Sequence, residues 1–234
     1  MRVLLTNDDG FDAPGLAALR QSVLAAFGSR ITRLYTVAPD SQRSEFSHGV
    51  TSAVPLRVTE VESGVWATSG TPADCVRLAV TTICPDVDWV LAGINAGANL
   101  GTDLITSGTF AAAREAHLRG VAAVAISHYR RPDVPTTWDH TPRWLAGILQ
   151  RLAAATATGD CRLWNVNLPA VDPSTTPEEQ WCAIDDVPIP LQYLRSPEGD
   201  YRMACDFHGR PRTAGCDVDV CFSGKISISL ADRF

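Results

Sequence analysis

Asp8 and Asp9 are adjacent, follow the apolar run Val3-Leu4-Leu5 through Thr6-Asn7, and are closed by Gly10. Neighbouring carboxylates repel each other unless something positive compensates, and a divalent cation is the usual compensation. A short apolar run that enters a cluster of small polar residues reads as a buried strand delivering its carboxyl end to a loop. Ligands bind at that end of an open α/β sheet. The pair therefore fits a metal-dependent site at the tip of the first strand. Taken alone, Asp8-Asp9-Gly10 fits a turn with an Asx cap equally well.

Three further loops carry chemistry of a matching kind. Residues 39–49 are polar and without period, residues 95–101 read Asn-Ala-Gly-Ala-Asn-Leu-Gly, and Ser107-Gly108-Thr109 precedes a helical stretch. Their side chains are carboxylates, hydroxyls and amides, with no His or Cys cluster, a donor set that suits Mg²⁺, Mn²⁺ or Ca²⁺ better than zinc. Glycine loops that lead into a helix N-terminus expose backbone N–H groups able to hold a phosphate. Each loop also has a plainer reading, a turn for residues 97–101 and an N-cap for Ser107. Together they suggest phosphoester chemistry, with a metal polarising the phosphoryl group and the attacking water.

The elements that must position these loops follow from periodicity. After Gly10, Leu16, Leu19, Val23, Leu24 and Phe27 have helical spacing, with Asp12 as a candidate N-cap, Pro14 in the first turn and Gly28 as a stop. Residues 34–38 (LYTVA) form a second strand and residues 55–61 an antiparallel or edge strand. Thr71 and Asp74 make a short-armed capping box ahead of a helix with Val76, Ala79, Val80 and Ile83 turned inward. Strands follow at residues 88–94, 121–127 and 162–168, separated by helices over residues 110–119 and around Trp144 to Leu152. Such alternation implies an α/β domain over residues 1–170, a largely parallel sheet covered by helices on both faces. Prolines punctuate residues 171–234, which read as a β-rich C-terminal extension packing on the core or on a partner subunit.

Composition narrows the function classes. The 234 residues are 45% hydrophobic and 20% charged, with a formal net charge of −6, which argues against a broad duplex-binding surface. Lys225 is the single lysine, and no GxxxxGK[ST] occurs, so a P-loop is excluded. Seven cysteines, odd in number and without a CxxC pair, suit reduced thiols in a cytoplasm. No signal peptide and no apolar run of membrane-spanning length is visible.

Read together, these stretches resemble the SurE family of stationary-phase survival proteins. The resemblance runs through Leu4 to Gly10, Ala13-Pro14-Gly15, Val37 to Asp40 with Arg43-Ser44 and Thr51, and Gly70 to Val76. It continues through Gly93 to Gly101, Asp103, Ser107-Gly108-Thr109 and Asn165 to Pro169. The resemblance implies a Rossmann-like three-layer fold, a cytoplasmic location and a 5′/3′-nucleotidase that hydrolyses nucleoside monophosphates with one divalent metal, Mg²⁺ or Mn²⁺ foremost. It implies metal ligation by Asp8, Asp9, Ser44 and Asn95, with either aspartate as base, and a phosphate pocket at Asn99, Ser107, Gly108 and Thr109. A β-rich arm exchanged within a homodimer or homotetramer is implied too. The family's C-terminal motif survives only loosely here, as Cys216-Asp217 and residues 224–230, which bears on the arm more than on the site.

Two other readings compete. A haloacid-dehalogenase-like phosphatase needs Asp-x-Asp and a downstream lysine, whereas here the aspartates are adjacent and only Lys225 exists. A non-catalytic nucleotide-binding protein would keep the pocket as a sensor, and candidate ligands at all four metal positions count against it.

Overall fold

The computed structural model describes residues 1–44, 46–156 and 161–233. In chain order the elements are β1 (Arg2–Thr6), α1 (Pro14–Phe27), β2 (Arg33–Pro39), β3 (Val58–Glu62), β4 (Val65–Thr68), α2 (Pro72–Leu78), β5 (Trp89–Ala96) and α3 (Gly108–Leu118). They continue with β6 (Ala122–His128), α4 (Thr141–Thr156), β7 (Leu163–Leu168), β8 (Glu179–Trp181), β9 (Gln192–Arg195), β10 (Tyr201–Ala204), α5 (Asp217–Phe222) and β11 (Ile226–Leu230).

The main sheet has nine strands in the order β3-β4-β2-β1-β5-β6-β7-β11-β8. Strands β4, β2, β1, β5, β6 and β7 run parallel. At one edge β3 is antiparallel to β4, as its partly alternating sequence suggests, and at the other β11 is antiparallel to β7. The chain moves outward from β1 to β2 on one side, then returns to place β5 on the other. The order of strands therefore reverses at β1, and a crevice opens there beyond the carboxyl ends of β1 and β5.

Alternation along β1 divides the core. Val3 and Leu5 point to one face with Leu91, Val124 and Ile126, where α1 and α4 cover them with Leu19, Val23, Leu145 and Ile148. Leu4 points to the other face with Val90 and Ala123, under Val76 and Ala79 of the α2 region and Phe110 and Ala113 of α3. Side chains of period two on one strand thus feed two separate apolar layers, which is why the parallel strands read as continuous apolar runs. The fold is the expected three-layer α/β arrangement.

Local chemistry explains most boundaries. Thr71 and Asp74 form the complete reciprocal capping box, and Ser107 caps α3 by accepting the N–H of Phe110 at 3.1 Å. Asp12 does not cap α1: the N-cap is Ala13, without a side-chain bond, because Pro14 at the first helical position sets the entry and lacks an N–H to satisfy. Gly15 decides how closely α1 sits, since a Cβ there would collide with the Ile94 carbonyl oxygen of β5. Any side chain at that position would lift the helix off the strand end that carries Asn95.

Residues beyond β7 divide between two locations. β8 and β11 extend the main sheet, with Ser227 opposite Asn167 and Ile228 opposite Trp181. β9 and β10 form a separate antiparallel hairpin.

Candidate active site

The two aspartates sit where β1 ends, and Asn7 shapes their turn by bonding both backbone groups of Gly10, donating to its carbonyl at 2.8 Å and accepting its N–H at 3.2 Å. Asp8 is buried and its carboxyl is pushed up to about 6, first by burial and also by the neighbouring charge of Asp9. Burial raises Asp9 as well, against an opposing bond from the Ala96 backbone. Among the described residues no Arg, Lys or His forms an ion pair with either carboxylate.

Helix α3 approaches this pair from the β5–α3 connection. The Thr109 hydroxyl donates to Oδ1 of Asp8, and its backbone N–H bears on the same carboxylate. Gly108 permits the contact: a Cβ on it would stand 3.0 Å from both Cβ and Oδ2 of Asp8. The N–H of Gly108 belongs to the first helical turn, whose donors have no intrahelical acceptor. Thr109 thus orients Asp8, and the Ser107 hydroxyl caps the helix as an acceptor while its own O–H remains a donor for a phosphate oxygen.

Asn95 and Ser44 flank the pair. Asn95 is the penultimate residue of β5, and its Nδ2 donates to the Gly97 carbonyl at 2.9 Å, which fixes the amide and leaves Oδ1 as its acceptor. The loop after β2 is drawn in by the Arg43 N–H, which donates to the Asp8 carbonyl at 2.7 Å, so Ser44 follows directly on that contact. The Ser44 hydroxyl accepts from Gln42 at 3.0 Å and keeps a second lone pair.

The rest of that loop is tied to the helices around it. Thr51 N–H donates to Asp74 at 2.9 Å, the Thr71 hydroxyl to the Gly49 carbonyl at 2.7 Å, and the Ser47 hydroxyl to the Ile105 carbonyl at 2.8 Å. His48 accepts at Nδ1 from Arg114 at 2.9 Å, so its Nε2 carries the proton shared with Glu115 at 2.8 Å. Glu115 on α3 is buried, and it also receives Arg77 at 2.7 Å and Arg119 at 2.8 Å. Burial works to raise this carboxyl, but the bonds from His48, Arg77 and Arg119 prevail and hold it below the usual range. His48 is therefore a tether between the Ser44 loop and α3.

Asn99 is held by residues from neighbouring strands that its own loop gives no sign of. Its Nδ2 donates to the Ser127 hydroxyl at 2.8 Å, and its backbone N–H donates to Asn167 Oδ1 at 2.9 Å. Asn165 and Asn167 both donate to its carbonyl, at 3.0 and 2.9 Å. The two asparagines alternate with apolar Val166 and point to one face of β7, a polar pair inside a buried strand that is the sequence signal for their role. Next in the loop, the Gly101 N–H donates to the buried Asp217 at 2.9 Å, and Asp103 pairs with the buried Arg210.

Trp138, from the loop between β6 and α4, completes one wall. Arg130 lies over its ring at 4.1 Å from the centroid, and His128 meets it edge to face at 6.0 Å. His128 and His140 share a 2.8 Å Nε2–Nε2 bond, and burial pushes them down to about 3 and about 4, so both are neutral at physiological pH.

Comparison with known proteins identifies the family. The family model described as Survival protein SurE matches residues 3–187. The chain belongs to the SurE family. A Nostoc sp. relative is 42% identical over 230 residues, 98% of either chain. The protein named 5′-nucleotidase SurE of Geotalea uraniireducens is 38% identical over 229 residues, covering 95% of this chain and 84% of that one. The crystal structure of the SurE protein from Aquifex aeolicus superposes with a TM-score of 0.83 at 28% identity, covering 99% of this chain and 93% of that one. SurE-family membership thus extends over the crevice and the strands that build it.

Proposed function

We propose that this SurE-family chain is a metal-dependent nucleotidase that releases phosphate from nucleoside 5′- and, in addition or instead, 3′-monophosphates. The observation that carries the reading is the Asp8–Asp9 pair, two partly or fully desolvated carboxylates with no cationic side chain paired to them among the described residues. Relatives named 5′-nucleotidase SurE support the substrate class.

The residues present fit a hard divalent cation, Mg²⁺ or Mn²⁺. Asp8 and Asp9 supply the negative charge, while Asn95 Oδ1 and the Ser44 hydroxyl supply neutral oxygens. A bound cation there would polarise the phosphoryl group and the attacking water. The chain's own groups do the rest. Thr109 fixes the Asp8 carboxylate, and the Gly108 N–H with Asn99 would receive phosphoryl oxygens as charge develops on them. Asn165, Asn167 and Ser127 hold Asn99 in place before substrate arrives, so little ordering is left for the transition state.

The hairpin β9–β10 supports a homodimer or homotetramer. Leu191, Tyr193, Leu194, Tyr201 and Met203 are exposed on it, more apolar surface than a solvated two-stranded ribbon normally shows. Residues 171–234 would then serve both as sheet extension and as subunit contact. Seven unpaired thiols favour a reducing compartment such as the cytoplasm, and no described helix is long and apolar enough to cross a membrane.

The test is phosphate release from a panel of nucleoside 5′- and 3′-monophosphates, with and without EDTA and with Mg²⁺ or Mn²⁺ restored. Turnover that EDTA abolishes and metal restores is the expected result. Turnover that survives EDTA sinks the metal assignment, and binding without turnover sinks the enzyme.

A further inference from the structure

A cavity of about 360 Å³ opens beside the aspartates, lined by Asp9, Asp12, Gly15, Gln42, Ala96 and the Trp138 indole. That volume falls within the roughly 300–1,000 Å³ typical of small-molecule sites. A cavity of similar size under Phe11, Arg20 and Leu34 touches neither Asp8 nor Asp9. The phosphate-holding groups Gly108 and Asn99 are not among the lining residues, so the space next to Asp9 is available to the remainder of an ester whose phosphate sits on the α3 side.

We infer that this cavity is the nucleoside subsite, with the base stacked on Trp138 and the ribose hydroxyls bonded by Asp12 and Gln42. The inference rests on the nucleotidase reading and names the half of the substrate that the phosphate loops leave unaccounted for. Three observations carry it. Trp138 is the one aromatic side chain on the cavity wall, and a planar indole is the surface on which any nucleobase gains stacking energy. Arg130 lies over the ring at 4.1 Å from its centroid and does not itself line the cavity, so the guanidinium holds the indole from outside it. The far edge of the indole is set by Gly15, whose absent Cβ would stand 3.2 Å from the Trp138 ring. The plane is therefore held in position before a ligand enters. Asp12 and Gln42 add a carboxylate and a carboxamide to the same wall, the groups that bond vicinal hydroxyls. Stacking without base-edge bonds predicts tolerance among bases, with purines ahead of pyrimidines because they offer more area.

Steady-state kinetics of Trp138→Ala on AMP and on ribose 5-phosphate test this directly. The expected outcome is a KM for AMP raised about tenfold or more, the scale of one base–aromatic stack. The kcat stays within about twofold, and ribose 5-phosphate is unaffected. Trp138→Phe should recover most of the loss. An equal change for both esters, or no change for either, overturns the subsite. Trp138→Leu, which keeps apolar bulk against Gly15 but removes the stacking plane, gives the same comparison if the alanine variant does not fold. Adenosine binding by calorimetry separates the two ideas. Wild type that binds adenosine through Trp138 but hydrolyses neither ester refutes the nucleotidase and keeps the subsite. Wild type that hydrolyses AMP while adenosine binds the variant equally well refutes the subsite and keeps the nucleotidase.

Discussion

Replacing Glu115 by Gln should destabilise the protein by about 2 kcal/mol at neutral pH. The carboxylate is 1% exposed and receives Arg77, Arg119 and His48 at 2.7, 2.8 and 2.8 Å. Removing one partner of a fully buried charge network costs roughly 3–5 kcal/mol, because the remaining charges are stranded. Here the two arginines are 40% and 42% exposed, so water takes over part of their solvation and the estimate drops to the lower figure. The glutamine amide would also turn a donor toward one of three donors. For a chain of this length a loss of that size lowers Tm by about 4–8 °C. Urea denaturation followed by circular dichroism measures it. The sign of the pH dependence is fixed: Glu115 is held below its ordinary range in the folded state, so its stabilisation is complete above that range. It fades as pH falls through the lowered folded value. The gap between wild type and variant should therefore be flat from pH 6 to 8 and close in acid. A difference under about 0.5 kcal/mol at pH 7, or one that widens on acidification, would refute the account of the tether.

Asp9→Asn should cut phosphate release by more than about a hundredfold while leaving Tm unchanged or higher, since a like charge is removed beside Asp8; near-native turnover would discard the ligand set. Gly15→Ala drives a methyl into the Ile94 carbonyl oxygen and should cost about 3 kcal/mol, read as a shifted urea midpoint; a neutral result would mean that α1 is not packed as described. Asp217→Asn removes a carboxylate that accepts the N–H groups of Gly101, Asp185 and Val218, and amide exchange at Gly101 should quicken. Burial raises Asp217 to about 6, so its protonation adds folding stability as pH falls from 6 toward the ordinary aspartate value. The asparagine variant should lack that rise. Leu194→Glu with Tyr201→Glu should shift the protein to a smaller species in sedimentation velocity, and an unchanged distribution would remove the hairpin from the subunit contact.

The layers of the fold were legible because local signals agreed with the global one. Apolar runs at β1, β2, β5, β6 and β7, the Thr71–Asp74 box and the Ser107 cap all name their own elements. Asp12 has the side chain of an N-cap but does not cap α1, because cap preference is only one way to begin a helix and Pro14 supplies the other. The hairpin β9–β10 has only a turn signal, Ser196-Pro197-Glu198-Gly199 between two short runs, since Tyr193, Leu194, Tyr201 and Met203 show no polar-outside alternation. In the site, residue types announced the aspartates and glycine loops. What holds them did not show: Ser127, Asn165, Asn167 and Asp217 reach the loop at Asn99–Gly101 from distant strands and helices, and such pairings have no local signature.

The insertion of β11 between β7 and β8 has a consequence for synthesis. Until residues 226–230 leave the ribosome, β7 presents an unsatisfied edge, and Asn167 lacks its cross-strand neighbour Ser227. A nascent chain at that stage holds the aspartates on a formed β1 but not the sealed border, and an open apolar edge is a template for pairing with another chain. The long separation between β7 and its last partner makes closure slow as well as late. Chaperone demand for this protein should therefore peak in the interval between the emergence of β7 and that of β11, and translational pauses there would be the most damaging.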